Sequence, residues 1–122
     1  MAYVNEWMGF TMKAGGDLTG SQYKAIALAD GLVADTGVEA SGIIMNKPKS
    51  GEAVTVGAMG VMKYIAGDTI AAAGAELRAT TSGYFITASS GYYKNGRSLE
   101  AVTSGSIGSG VFNFTTPPYQ GV

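Results

Sequence analysis

The chain predicts a single all-β domain, a small barrel or sandwich of about eight short strands with an extended N-terminal arm. Three observations predict it. Nineteen glycines punctuate 122 residues at short intervals. The runs between them are rich in Val, Ile, Thr and Tyr, which fit a pleated surface. Only Ile70 to Ala75 could make a helical turn, and no more than one. The length suits one domain, burying roughly 65% of the surface the unfolded chain exposes.

The elements follow in order. Residues 1–16 are an aromatic-rich lead (Tyr3, Trp7, Phe10) ending at Gly15-Gly16, which reads as a hinge. Residues 17–114 carry the repeated strand-and-turn pattern. Gln22 to Ala29 is apolar around Lys24, as a strand covered on both faces would be. Asp30-Gly31 is a hairpin signal. Val38 to Met45 and Ala53 to Val56 flank a turn, Asn46 to Gly51, and Met59 to Ile65 reads as a separate strand. Glu76 to Thr80 alternates, with Leu77 and Ala79 on one face. Tyr84 to Ala88, Ser98 to Val102 and Val111 to Phe114 complete the series, with turns or loops at Asn95-Gly96 and Gly105 to Gly110. Residues 115–122 form an extended tail, because Pro117-Pro118 cannot join a central ladder.

Composition narrows the chemistry. Charged residues are 14% of the chain and the net charge is −1, so no basic face can follow a phosphate backbone; nucleic acid is not an expected partner. Cysteine and histidine are both absent. Disulfides, thiolate nucleophiles and the commonest metal ligand go with them, so no cofactor or metal is expected. A disulfide-free domain this small fits folding in a reducing cytosol. Met1 to Met8 lacks the pattern of a signal peptide, and Ala53 to Ala66 is broken by Gly57, Gly60 and Lys63, so neither membrane nor secretion is expected.

A succession of phrases resembles the capsid cement, or decoration, proteins of tailed bacteriophages, a family long catalogued as a domain of unknown function. They are GSQYKAIAL (20–28), ASGIIM (40–45), GEAVTVG (51–57), GVMKYIAGDTIAAAG (60–74), LRATTSGY (77–84), GRSLEAVTSG (96–105) and VFNF (111–114). The signal is their order and spacing, since each phrase alone is a strand ending in a turn. The resemblance implies a compact β domain that sits on the outer capsid surface as an oligomer, a trimer being expected. There it would brace neighbouring capsomers, with the major capsid protein as partner and no catalytic residues. The lead and the tail lie outside the shared region.

The lead carries the capsid-binding expectation: Tyr3, Val4, Trp7, Met8 and Phe10, with Lys47 and Lys49 of the turn as weaker candidates. The three aromatic side chains could bury roughly 500 Å². At about 25 cal/mol per Å² that is on the order of 12 kcal/mol gross. Ordering about ten residues costs roughly 10 to 20 kcal/mol, so one arm binds weakly. Several arms on an oligomer gain avidity of roughly 10² to 10⁴. The alternative reading is that the lead is an ordinary first strand on its own core.

Other constellations point less far. Gly105 to Gly110 lacks the Lys-Ser/Thr of a phosphate loop and reads as a flexible turn. Glu39, Glu52, Glu76 and Glu100 would need to pair to act as a glycosidase, and nothing in the spacing pairs them. Asp17, Asp30 and Asp35 read as turn residues. Without histidine a serine nucleophile would need a lysine base, and that reading is set aside. Tyr84, Phe85, Tyr92 and Tyr93 could stack on sugar rings, or pack in the core or at an oligomer contact. A sugar-binding or host-adhesion module is therefore the alternative function, and an internal tail or baseplate component a third.

Overall fold

A computed structural model describes residues 6–34, 40–88, 93–114 and 119–120. The strands are β1 (Trp7–Lys13), β2 (Ala25–Ala27), β3 (Leu32–Val33), β4 (Gly42–Ile44), β5 (Ala53–Ile65) and β6 (Glu76–Ala79), then β7 (Phe85–Thr87), β8 (Tyr93–Lys94), β9 (Gly96–Ser98), β10 (Ile107–Asn113) and β11 (Tyr119–Gln120). One 3-10 turn, Thr81–Gly83, is the only helical element among the described residues. Nine strands form a curled, partly closed antiparallel sheet in the order β3-β2-β4-β5-β10-β9-β6-β7, with β1 attached to β5; β8 and β11 make a separate pair. The all-β expectation holds.

β5 is the axis of the molecule. The sequence suggested two strands parted at Gly57-Ala58, but residues 53–65 run as one. The glycines serve close approach, not a break. A Cβ at Gly60, whose φ is 122°, would collide with the Glu6 carbonyl, and one at Gly57 with the Met62 sulfur. The register of β5 against β1 skips from Met59 to Gly57, a one-residue bulge. Its effect is seen in burial: Val54 and Val56 belong to one apolar cluster, Met62 and Tyr64 to another. Residues of the same parity thus serve opposite faces on either side of the bulge.

Both faces of the first half of the sheet are covered. In β2, Ala25 and Ala27 enter the main cluster and Ile26 the smaller one; in β4, Ile43 and Ile44 divide the same way. The two-sided reading of Gln22 to Ala29 is borne out at β2, though the strand is shorter. The main cluster holds the aromatic rings. Tyr64, Phe85 and Phe112 meet edge to face at 5.2 to 5.9 Å between centroids. The smaller cluster is closed by Ala14 and Leu18, on the segment that follows β1.

Four expectations need correction. Gly105 to Gly110 is not a flexible loop: only Gly105 (φ 84°) turns the chain, and β10 begins at Ile107. Gly108 is needed inside the strand because a Cβ there would run into Val102. Ile70 to Ala75 is not helical; Ile70 makes an antiparallel bridge with Val102. Asn95-Gly96 is no hairpin turn, since the Asn95 N–H donates to the Leu77 carbonyl and its own carbonyl accepts from Asn113. Finally, residues 7–13 of the expected arm are a strand hydrogen-bonded to β5. That is the ordinary-first-strand alternative, with a difference described next.

Candidate docking surface

Among the described residues β1 is paired on one edge only. Met8 and Trp7 pair with Met59 and Gly60 of β5, and the same two β5 residues pair with Asn113 and Phe112 of β10. β1 and β10 therefore flank β5 on opposite edges, and no described strand covers the outer edge of β1. Five of its seven residues are exposed. Trp7 packs on the main cluster and Met12 on the smaller one, which fixes the strand's orientation.

The face opposite the main cluster decides what this edge adjoins. At one end of the sheet that face is the smaller core, with Ile26, Ile44, Val54 and Val56 under Ala14 and Leu18. At the other end nothing described covers it, yet most of the side chains stay apolar, the Lys63–Ser109 pair being the exception. Phe10 and Met8 follow along β1, and Met8 pairs with Met59. Along β5 come Val61, Lys63 and Ile65, and across to β10 lie Val111 opposite Val61 and Ile107 opposite Ile65. Met8 is 68% exposed, Ile107 54%, Val111 46%, Phe10 39% and Met59 36%. These are five of the seven large exposed apolar residues among those described; the other two, Leu28 and Leu32, sit at the β2–β3 hairpin. An apolar strip of this kind beside an open strand, crossed by the polar pair Lys63–Ser109, has the character of an interaction surface.

The expected capsid-binding residues divide. Tyr3 and Val4 lie outside the described residues. Trp7 is half-buried against the core, while Met8 and Phe10 open the strip. Lys47 and Lys49 are exposed on a rigid turn, flanking buried Pro48. There the Asn46 carboxamide bridges Ala53 and Thr55, and Glu52 accepts from the Lys49 N–H at 2.7 Å. The turn is tied to the end of β1 through Gly51 N–H to the Ala14 carbonyl and Ala14 N–H to Glu52. The structure thus brings these lysines beside the far end of β1, not onto the strip.

Sequence reading missed Met59, Val61, Ile107 and Val111. A signal was present: Met59 to Ile65 is apolar at both parities, which demands cover on both faces, and only one face has it here.

The chemistry-bearing residues are otherwise engaged. Glu76 pairs with Lys94 (3.6 Å) and Arg97 (3.7 Å), and Glu100 accepts from the Ser109 N–H. Glu52 is held by the turn; Glu39 lies outside the described residues. Asp17 caps Thr19 and Asp30 accepts from Leu32, the turn roles expected of them; Asp35 is outside the described residues. The two Thr19 hydrogen bonds hold the Asp17 carboxyl below its ordinary range. Setting serine chemistry aside passed over one Ser-x-x-Lys spacing, Ser21 to Lys24. The structure links Lys24 to Ser21 through the backbone, and the lysine ammonium lies 4.7 Å from the Tyr84 ring centroid. Among the described residues no three His, Cys, Asp or Glu converge, and no helix is long and apolar enough to cross a membrane. Of the tyrosine-rich group, Phe85 is fully buried and Tyr84 half-buried, Tyr92 lies outside the described residues, and Tyr93 is in β8.

No family model matches the chain, and no curated protein matches it. Among solved structures, the N base of the head fiber gp8.5 of bacteriophage phi29 has a similar fold. The TM-score is 0.71 at 16% identity, over 93% of this chain and all of that one. At that identity the likeness establishes a shared architecture. At 93% of this chain it spans the fold rather than one motif.

Proposed function

We propose that this protein is a non-enzymatic structural component of a bacteriophage virion. It docks on the outer capsid surface as an oligomer, expected to be a trimer, and reinforces contacts between capsomers. The major capsid protein is its partner, and synthesis is in the host cytoplasm. The observation that carries the reading is the uncovered strip Phe10–Met8–Met59–Val61–Val111–Ile107 beside the open edge of β1. Support for the virion setting comes from the fold shared with a phage head fiber and from the ordered phrases that resemble cement proteins.

Docking works through two effects. The strip removes apolar surface from water, at about 25 cal/mol per Å². The open edge of β1 offers backbone donors and acceptors to an extended segment of the capsid, adding a strand whose direction the register dictates. A protein that binds the assembled lattice and not loose subunits stabilises that lattice by mass action. One copy makes a modest contact, so several copies joined as an oligomer hold through avidity.

The test is occupancy on particles from which the protein has been stripped, with thermal melting of the particle as second readout. Re-addition is expected to restore occupancy and raise the melting temperature. Unchanged melting with reduced attachment to cells would favour the host-adhesion alternative.

A further inference from the structure

At the C-terminal end of β5 four segments converge. The Tyr23 carbonyl accepts from the Ile65 N–H, the Ala66 carbonyl from Gly105, and the Phe85 carbonyl from Gly67. Between them lies a cleft of about 300 Å³ lined by Gly20, Lys24, Gly67, Tyr84, Ser104 and Gly105, among others. None of its lining residues belongs to the β1 edge, and it touches the docking strip only at Ile65.

Three features set this cleft apart. First, its cation is available. The Lys24 ammonium stands 4.7 Å from the Tyr84 centroid and makes no ion pair with any described residue. A cation over a ring face keeps its N–H donors for a ligand. Asp68, which follows Gly67 of the lining, is turned to the Thr69 N–H. Second, the backbone around it is held in an uncommon conformation. Tyr23 (φ 70°) and Ser82 (φ 59°) are the two non-glycine residues with positive φ among those described, and they flank Lys24 and Tyr84. Gly83 (φ 78°) presses so closely on the Lys24 stem that an added Cβ would sit 3.0 Å from it. Such conformations cluster where a ligand site needs fixed side chains. Third, the rest of the lining is small: three glycines that carry no side chain into the space, and Ser104, whose hydroxyl reaches the Gly67 carbonyl at 3.4 Å and keeps its lone pairs for a ligand.

We infer that this cleft binds a single carboxylate-bearing sugar unit, of the uronic-acid class, with the carboxylate on Lys24, a ring hydroxyl donating to Ser104, and the ring seated in the space the glycines leave open. The volume is at the small end of ligand clefts, which suits one pyranose better than a length of peptide. An acidic peptide side chain would satisfy Lys24 and leave the Ser104 hydroxyl without a ligand donor. The function follows: a capsid-surface protein would present an acidic-glycan contact to the exterior. The inference does not depend on capsid docking, because the binding is measured on the free chain.

The experiment is titration of the full chain with D-glucuronate, D-glucose and glutarate, read by NMR shifts of the Gly67, Tyr84 and Gly105 amides. Glucuronate should bind with a millimolar constant, and glucose and glutarate at least about tenfold more weakly. Lys24→Gln should weaken glucuronate about tenfold or more, while Lys24→Arg, which keeps the charge, stays within about threefold. Variant folding is checked by the unchanged spectrum of the β1 and β10 amides. Glutarate binding as tight as glucuronate would overturn the sugar assignment in favour of an acidic protein partner. Equal binding of glucose, or an undiminished response in Lys24→Gln, would overturn the role of Lys24, and no shifts with any probe would overturn the site.

Discussion

Tyr64 shows how one residue couples packing to solvent conditions. Its ring is fully buried among Phe85 and Phe112, and its hydroxyl lies 2.7 Å from the Ser98 hydroxyl, which donates in turn to the Glu100 carbonyl. Burial raises the phenol's pKa, the Glu100 charge adds to that, and the Ser98 hydrogen bond opposes it. In the unfolded chain the phenol ionises near pH 10. Above that pH the unfolded state loses the proton first, so stability is full below about pH 10 and falls as pH climbs toward the raised folded value. Urea unfolding at stepped alkaline pH should show a steeper loss in the native chain than in Tyr64→Phe. Asn95 makes a second residue-scale case. It is buried, and its carboxamide makes no hydrogen bond to any described residue. Replacing it with Leu should be neutral or stabilising by about 1 kcal/mol in the same assay, since a buried unpaired amide costs that much or more.

At the scale of the element, β5 and β1 carry the account. Gly60 sits where β5 meets both flanking strands, with φ 122° and the Glu6 carbonyl against its Cα. Gly60→Val should cost on the order of 3 kcal/mol or more through strain and displacement of β1, read as a lowered denaturation midpoint. Removing residues 2–10 outright is a poor test of docking, because it strips a paired strand from β5 as well as exposed side chains. Met8→Lys with Phe10→Lys keeps the pairing and blunts the edge with charge. Those variants should fold normally and lose about tenfold or more in particle occupancy. Much of this element scale could be read from residue order. Asp30-Gly31 gave its hairpin, and Glu76 to Ala79 put Leu77 and Ala79 inward as alternation requires. What could not be read was which glycines turn the chain and which make room in a strand. Gly57, Gly60 and Gly108 look like Gly31 in the sequence, and only long-range neighbours tell them apart. The strip was hidden for the same reason. Its members come from three strands, and the bulge in β5 reverses the parity by which faces are counted.

The whole molecule is a curled sheet whose second face is finished at one end and open at the other. Ala14 and Leu18 close the first half of that face, and no described residue closes the second. A chain of 122 residues has little apolar surface to spare, and the strip left uncovered on β5 and β10 is the reason a partner is proposed. The proposed partner is the capsid. Val61 and Val111, facing each other at the centre of the strip, are the residues on which this turns. The most direct measurement compares the native chain with the Val61→Asp, Val111→Asp double variant on stripped particles, with circular dichroism and melting of the free proteins as the folding check. Occupancy of the folded double variant should drop by at least about a hundredfold, as two central apolar contacts are replaced by buried charge. Native-level occupancy would contradict the account.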